Sequence, residues 1–79
     1  MDPYPPFQKR AALAENRLLN AILDGNYPFG SSLPPERELA ERLGVTRPTL
    51  REALQRLESD GWIEIHQGKP TRVCNPWQE

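Results

Sequence analysis

At Gly61 the spacing of apolar residues in this chain changes from a helical period to a strand period. Before it, Leu50, Ala53, Leu54 and Leu57 stand at i, i+3, i+4 and i+7, the stripe of an amphipathic helix. After it, "WIEIH" alternates and is rich in strand formers. A helix followed at once by a strand points to an α+β fold, and 79 residues leave room for one small domain. A domain of this size buries only about 60% of its unfolded surface, so no deep catalytic cleft is expected.

The remaining elements follow from pattern and punctuation. "MDPYPP" has two consecutive prolines and no periodicity, which predicts an irregular lead-in over residues 1–6, with the folded domain over 7–77. From Phe7, the residues Ala11, Ala14, Leu18, Ala21 and Ile22 mark a first helix that stops near Gly25. "YPFGSSLPPE" reads as a loop. Pro35 suits the first turn of a second, short helix, "ERELAERL", whose Leu39, Ala40 and Leu43 share a face and which stops at Gly44. Thr46 is placed to cap a third helix, with its hydroxyl near the Thr49 amide. The closing segment predicts a hairpin, with "QGKP" as its turn and Ile63, Ile65 and Val73 packed against the helices. There is no internal repeat, low-complexity tract or long heptad series.

A hydrophobic fraction of 37% supports a single core. One cysteine, Cys74, and one histidine, His66, exclude an intrachain disulfide and a Cys/His metal cluster. Cys74 is expected to be a small buried residue, and Trp62 and Trp77 to pack as core and edge anchors. His66 has no nucleophile or acid at a motif spacing, and no glycine-rich phosphate loop is present, so the chain does not read as an enzyme. No secretory leader or membrane span is recognisable, and a reducing cytoplasm is the expected compartment.

The net charge of −1 argues against an indiscriminate polyanion binder, yet the third helix carries Arg47, Arg51 and Arg56. At 100° per residue Arg47 and Arg51 share an exposed flank with Gln55, beside the hydroxyls of Thr46 and Thr49 and the positive end of the helix. Two helices joined by the short break at Gly44, the second exposing arginine near its start, match the geometry of a recognition helix in a DNA major groove. Arginine forks fit guanine O6 and N7, so a few of them can specify a site without a basic protein. Against this stands the ordinary dress of a solvated helix, of which Glu52 and Arg56 at i, i+4 are an example. The hairpin tip "HQGKP" fits a minor groove or a phosphate, and also a plain solvated turn.

"LPPERELAERLGVTRPTLREALQRLESDGW" followed by "QGKPTRV" resembles the winged helix-turn-helix domain of GntR-family transcriptional regulators, in register over residues ~10–77. "DGW", "GKPTRV" and "NPW" are similar to the FadR subfamily and its fatty-acid-responsive members. The resemblance implies three helices followed by a two-stranded wing. It also implies a homodimer on a palindromic operator in double-stranded DNA, with helix three in the major groove and the wing tip in the minor groove. By position, Arg37, Arg47 and Arg51 would approach bases, Gln67 and Gly68 would enter the minor groove, and Thr46, Thr49 and Lys69 would hold phosphates. His66 and Pro48 are further candidates.

The sequence also departs from that pattern. Pro48 replaces a hydroxyl residue that can touch phosphate in fatty-acid-responsive members. Gln67 stands where they have histidine, and Pro35 removes a serine cap. The subfamily's helical C-terminal domain, which senses acyl-CoA or a small organic acid, has no counterpart in these residues. An excised DNA-binding domain without a cofactor or membrane partner of its own is therefore expected, with a naturally short protein as the alternative. Regulation of another organic-acid pathway, or a winged helix whose arginines meet an acidic protein, are the competing functions.

Overall fold

The computed structural model of the protein describes residues 6–77. Three helices are followed by a two-stranded antiparallel sheet: α1 (Pro6–Leu23), α2 (Glu36–Leu43), α3 (Arg47–Ser59), β1 (Ile63–Glu64) and β2 (Arg72–Val73). Residues 1–5 of the expected lead-in lie outside the described residues. Pro6, its last residue, already opens α1, where a missing N–H costs no helical hydrogen bond.

α1 forms where small residues recur on one face. Ala11, Ala14 and Leu18 are wholly buried and Ile22 nearly so, while Ala21 lies at the half-buried flank. The two alanines allow close approach to α3, against which α1 mainly packs. α2 begins one residue later than the sequence suggests: Pro35 is its N-cap, at φ −54 and ψ 151, with no side-chain cap bond. Glu36 and Glu38 lie in the first turn, where acidic residues complement the helix dipole.

The break between α2 and α3 depends on Gly44. Its φ of 71 is left-handed, a conformation that a Cβ disfavours, and it turns the chain while its N–H and that of Val45 satisfy carbonyls of the last turn. α3 then starts on Thr46, whose hydroxyl oxygen accepts the Thr49 amide at 3.3 Å. Pro48 sits in the first turn, where proline is tolerated. Leu50, Ala53 and Leu57 are wholly buried and Leu54 is 7% exposed, so α3 is the central element, touching α1, α2 and β1.

The hairpin is shorter than its alternation suggests. Ile63 pairs with Val73 and Glu64 with Arg72, and pairing stops there. Ile63 and Val73 join the core at 1% exposure each, but Ile65 is 39% exposed. The exposure of Ile65 has a local cause. The Ile65 amide donates to the Glu58 carboxylate at 3.0 Å instead of to a partner strand, and beyond Glu64 no ladder dictates which face the side chain takes. Ile65 instead walls an apolar cleft of about 270 Å³ with Leu33, Leu39 and Leu54.

The loop before α2 contributes more than a connection. Ser32 bridges Arg72 on the other edge of β2, supported by Gly30 N–H to Val73 O at 2.7 Å, Val73 N–H to Ser31 O at 2.8 Å and Leu33 N–H to Thr71 O at 2.8 Å. β2 is therefore hydrogen-bonded on both sides. Trp62, half-buried against the core, stacks on Phe29 with centroids 6.5 Å apart and meets Trp77 edge-on at 5.2 Å, while Trp77 itself is 71% exposed at the edge of the domain. Cys74 is half-buried rather than buried; burial, and then the Glu64 charge, push its thiol above the ordinary value. Among the described residues no helix is long and apolar enough to cross a membrane.

Candidate nucleic-acid interface

Arg47 and Arg51 emerge one turn apart from the exposed flank of α3, with side chains 55% and 59% exposed. Both close on the carboxylate of Glu36. Arg47 Nε donates to Oε1 at 3.0 Å; Arg51 Nε donates to Oε2 at 2.9 Å and its Nη2 to Oε1 at 3.1 Å. The Arg51 hydrogen bond holds the Glu36 carboxyl below its ordinary range against the opposing effect of burial, with a lesser contribution from the Arg47 hydrogen bond. In return the carboxylate raises the Arg51 guanidinium.

Sequence reasoning missed Glu36 because the contact spans 11 and 15 residues and joins two helices, whereas helical spacing reports only neighbours three and four apart. The available signal was its place at the helix start, beside the break that leads into α3.

The pairing leaves donors over. Arg47 spends only its Nε, so both terminal Nη groups have no partner among the described residues, and Arg51 keeps Nη1. Such a planar fork, steadied at its base, is the shape that meets two acceptors in one plane. Arg56 serves otherwise. It pairs with Glu52 at 3.4 Å, the expected i, i+4 contact, and approaches Glu15 of α1 at 3.7 Å, bracing the two helices together.

The two threonines divide. Thr46 is exposed at the N-cap of α3, but Thr49 is only 2% exposed, and its hydroxyl accepts from Thr46 Oγ1 at 2.9 Å. The Thr49 hydroxyl thus lies beneath the surface that was to offer it to a phosphate. Thr49 is buried because it falls on the core-facing side of α3 with Leu50, Ala53 and Leu57.

Pro48 and Gln55 are exposed on α3. Arg37, exposed on α2, has no side-chain partner among the described residues. At the wing, Gly68 adopts φ 73, which permits the tight tip between His66 and Lys69; Gln67 and Lys69 are exposed. His66 Nε2 lies 3.4 Å from Glu64 Oε1, turned toward its own strand.

Adjoining grooves connect some of these groups. Glu36 and Arg51 line the cleft walled by Ile65, and a neighbouring groove runs from Pro35 and Glu36 to Gly68 and Lys69, so the start of α2 links the α3 arginines to the wing tip. On the other side Arg10 and Arg17 of α1 flank a groove that reaches Thr46, with Arg17 Nη1 donating to the Leu43 carbonyl at 3.0 Å. The surface presents planar cationic donors, a hydroxyl at a helix start and a narrow polar tip.

Comparison with known proteins shows the family and the fold. The family described as "Bacterial regulatory proteins, gntR family" matches residues 10–73. A fatty acid metabolism regulator protein of Pasteurella multocida is 56% identical over 76 residues, covering 96% of this chain and 32% of that protein. One from Shewanella baltica is 57% identical over 68 residues, covering 86% of this chain and 29% of that protein. The chain thus spans about a third of the length of these curated relatives. A crystal structure of AraR(DBD) in complex with operator ORE1 superposes with a TM-score of 0.77 at 31% identity, covering 82% of this chain and 79% of that one.

Proposed function

The chain belongs to the gntR family of bacterial regulatory proteins, and from that membership we propose that it is the operator-reading domain of a fatty-acid-responsive transcriptional regulator. It is a DNA-binding domain and not an enzyme. The observation that carries the reading of DNA sequence is the pair Arg47 and Arg51, whose unspent Nη donors project from the exposed flank of a helix whose other face is buried in the core.

In this reading α3 lies in the major groove, with Arg47 and Arg51 on guanine edges and Arg37 beside them. Thr46 and Lys69 hold phosphates, Thr49 supports Thr46 from below, and Pro48 borders the backbone. Gln67 and Gly68 enter the minor groove, with His66 braced on Glu64 behind them. Two copies sit on the halves of a palindrome, in the cytoplasm. The domain itself takes no cofactor; acyl-CoA or another small organic acid acts on further parts of the regulator. The name carried by the relatives from Pasteurella multocida and Shewanella baltica supports fatty acid metabolism as the regulated process.

The test is a fluorescence anisotropy titration of the domain against a palindromic duplex recovered by selection from random DNA, and against its scramble. Arg47→Ala is expected to weaken the matched duplex by about tenfold or more and to flatten a base-substitution scan at the position it reads. A scan unchanged by the substitution removes the base-reading role. Equal binding of the unaltered domain to every duplex favours an acidic protein partner instead.

A further inference from the structure

A surface that attracts a polyanion gains from each exposed cation and loses from each carboxylate among them. Glu36 is such a carboxylate, placed inside the face assigned to DNA and bonded to both base-reading arginines. Its two oxygens grip Arg51 as a fork and Arg47 by a single bond.

The gripping point is itself fixed. Glu36 begins α2, whose first turn is closed by the Leu39 amide on the Pro35 carbonyl and held by the buried Leu39 side chain. This arrangement has two effects of opposite sign. A loose arginine must be ordered when it binds, at a cost in free energy, and a gripped one has lost that freedom beforehand. The same grip offsets part of the positive charge that would draw the arginine to any phosphate.

We infer that Glu36 is a positioning residue that sets sequence discrimination, aligning Arg47 and Arg51 for base edges while suppressing their attraction to phosphate at large. The inference rests on the base-reading role of α3 proposed above, and it assigns part of the specificity to a residue outside that helix. Arg37, the next residue along α2, has no such partner, so the restraint falls on the two α3 arginines alone.

The experiment compares the domain with Glu36→Gln and Glu38→Gln. Each substitution removes one charge from α2, but Glu38 pairs with Arg42 and not with α3. Affinities are measured for the selected duplex and its scramble across a salt series, with thermal melting to confirm that each variant is folded.

Glu36→Gln is expected to tighten binding to the scramble by roughly threefold to tenfold at low salt, to steepen the salt dependence by about one phosphate equivalent, and to cut the preference for the matched duplex about tenfold. Glu38→Gln should leave that preference intact. An unchanged preference in Glu36→Gln overturns the inference. So does a loss confined to one base position without tighter binding to the scramble, because the carboxylate would then be reading a base itself. An unaltered domain that fails to distinguish the two duplexes sinks the operator-reading proposal, and does so before any variant is made.

Discussion

Glu36 shows why single side chains were unevenly legible. The flank shared by Arg47 and Arg51 followed from helical spacing, a local property, and the structure has it. Their common partner did not follow, because no local rule connects a residue on α2 to residues 11 and 15 positions later. The ion pairs also leave a signature in pH. A carboxylate held below its ordinary value of 4.5 in the folded state favours folding above that value. The contribution declines as pH falls and is gone once pH has passed below the lowered folded value. Glu36→Gln should therefore melt slightly below the unaltered protein near neutral pH, by about 5 °C at most for so exposed a cluster. The two melting curves should converge in strong acid, as a pH series by circular dichroism would register.

Helices were read more faithfully than strands. Each helix carries its own stripe, stop and start, so α3 runs between the cap and the glycine that its sequence announces. The wing has no such autonomy. Its two residue pairs are set by what lies on either side of β2, and the alternation in "WIEIH" promised a longer ladder than the Glu58 contact with the Ile65 amide allows. The loop "YPFGSSLPPE" hid its bridge to Arg72 for the same reason, since strand pairing is a tertiary fact. The start of α3 gives a prediction at this scale. Thr46→Ala leaves the Thr49 amide without its acceptor and should cost about 1 kcal/mol of stability, read by urea denaturation, while Thr46→Ser should retain most of it.

Over the whole molecule, the near-zero net charge conceals a division of labour. Glu38 is spent on Arg42, Glu15 and Glu52 on Arg56, and Glu36 on the α3 arginines, so these four of the eleven acidic residues are committed to holding arginines in place. Net charge alone argues only against an indiscriminate polyanion binder. The pairing instead leaves a few exposed donors whose positions matter more than their number.

The double bonding of β2 makes the wing and the approach to α2 one mechanical piece. The Leu33 amide hangs on Thr71 and the Val73 amide on Ser31, so neither can be released without parting the same strand edge. In hydrogen exchange these two amides should open together and slow together when DNA is bound, even though Leu33 is 4% exposed and belongs to the core. A wing drawn toward one groove would then tug on the residues that hold the helix in the other. In the proposed docking, the two grooves of a binding site would be sensed through a shared lever rather than by independent fingers.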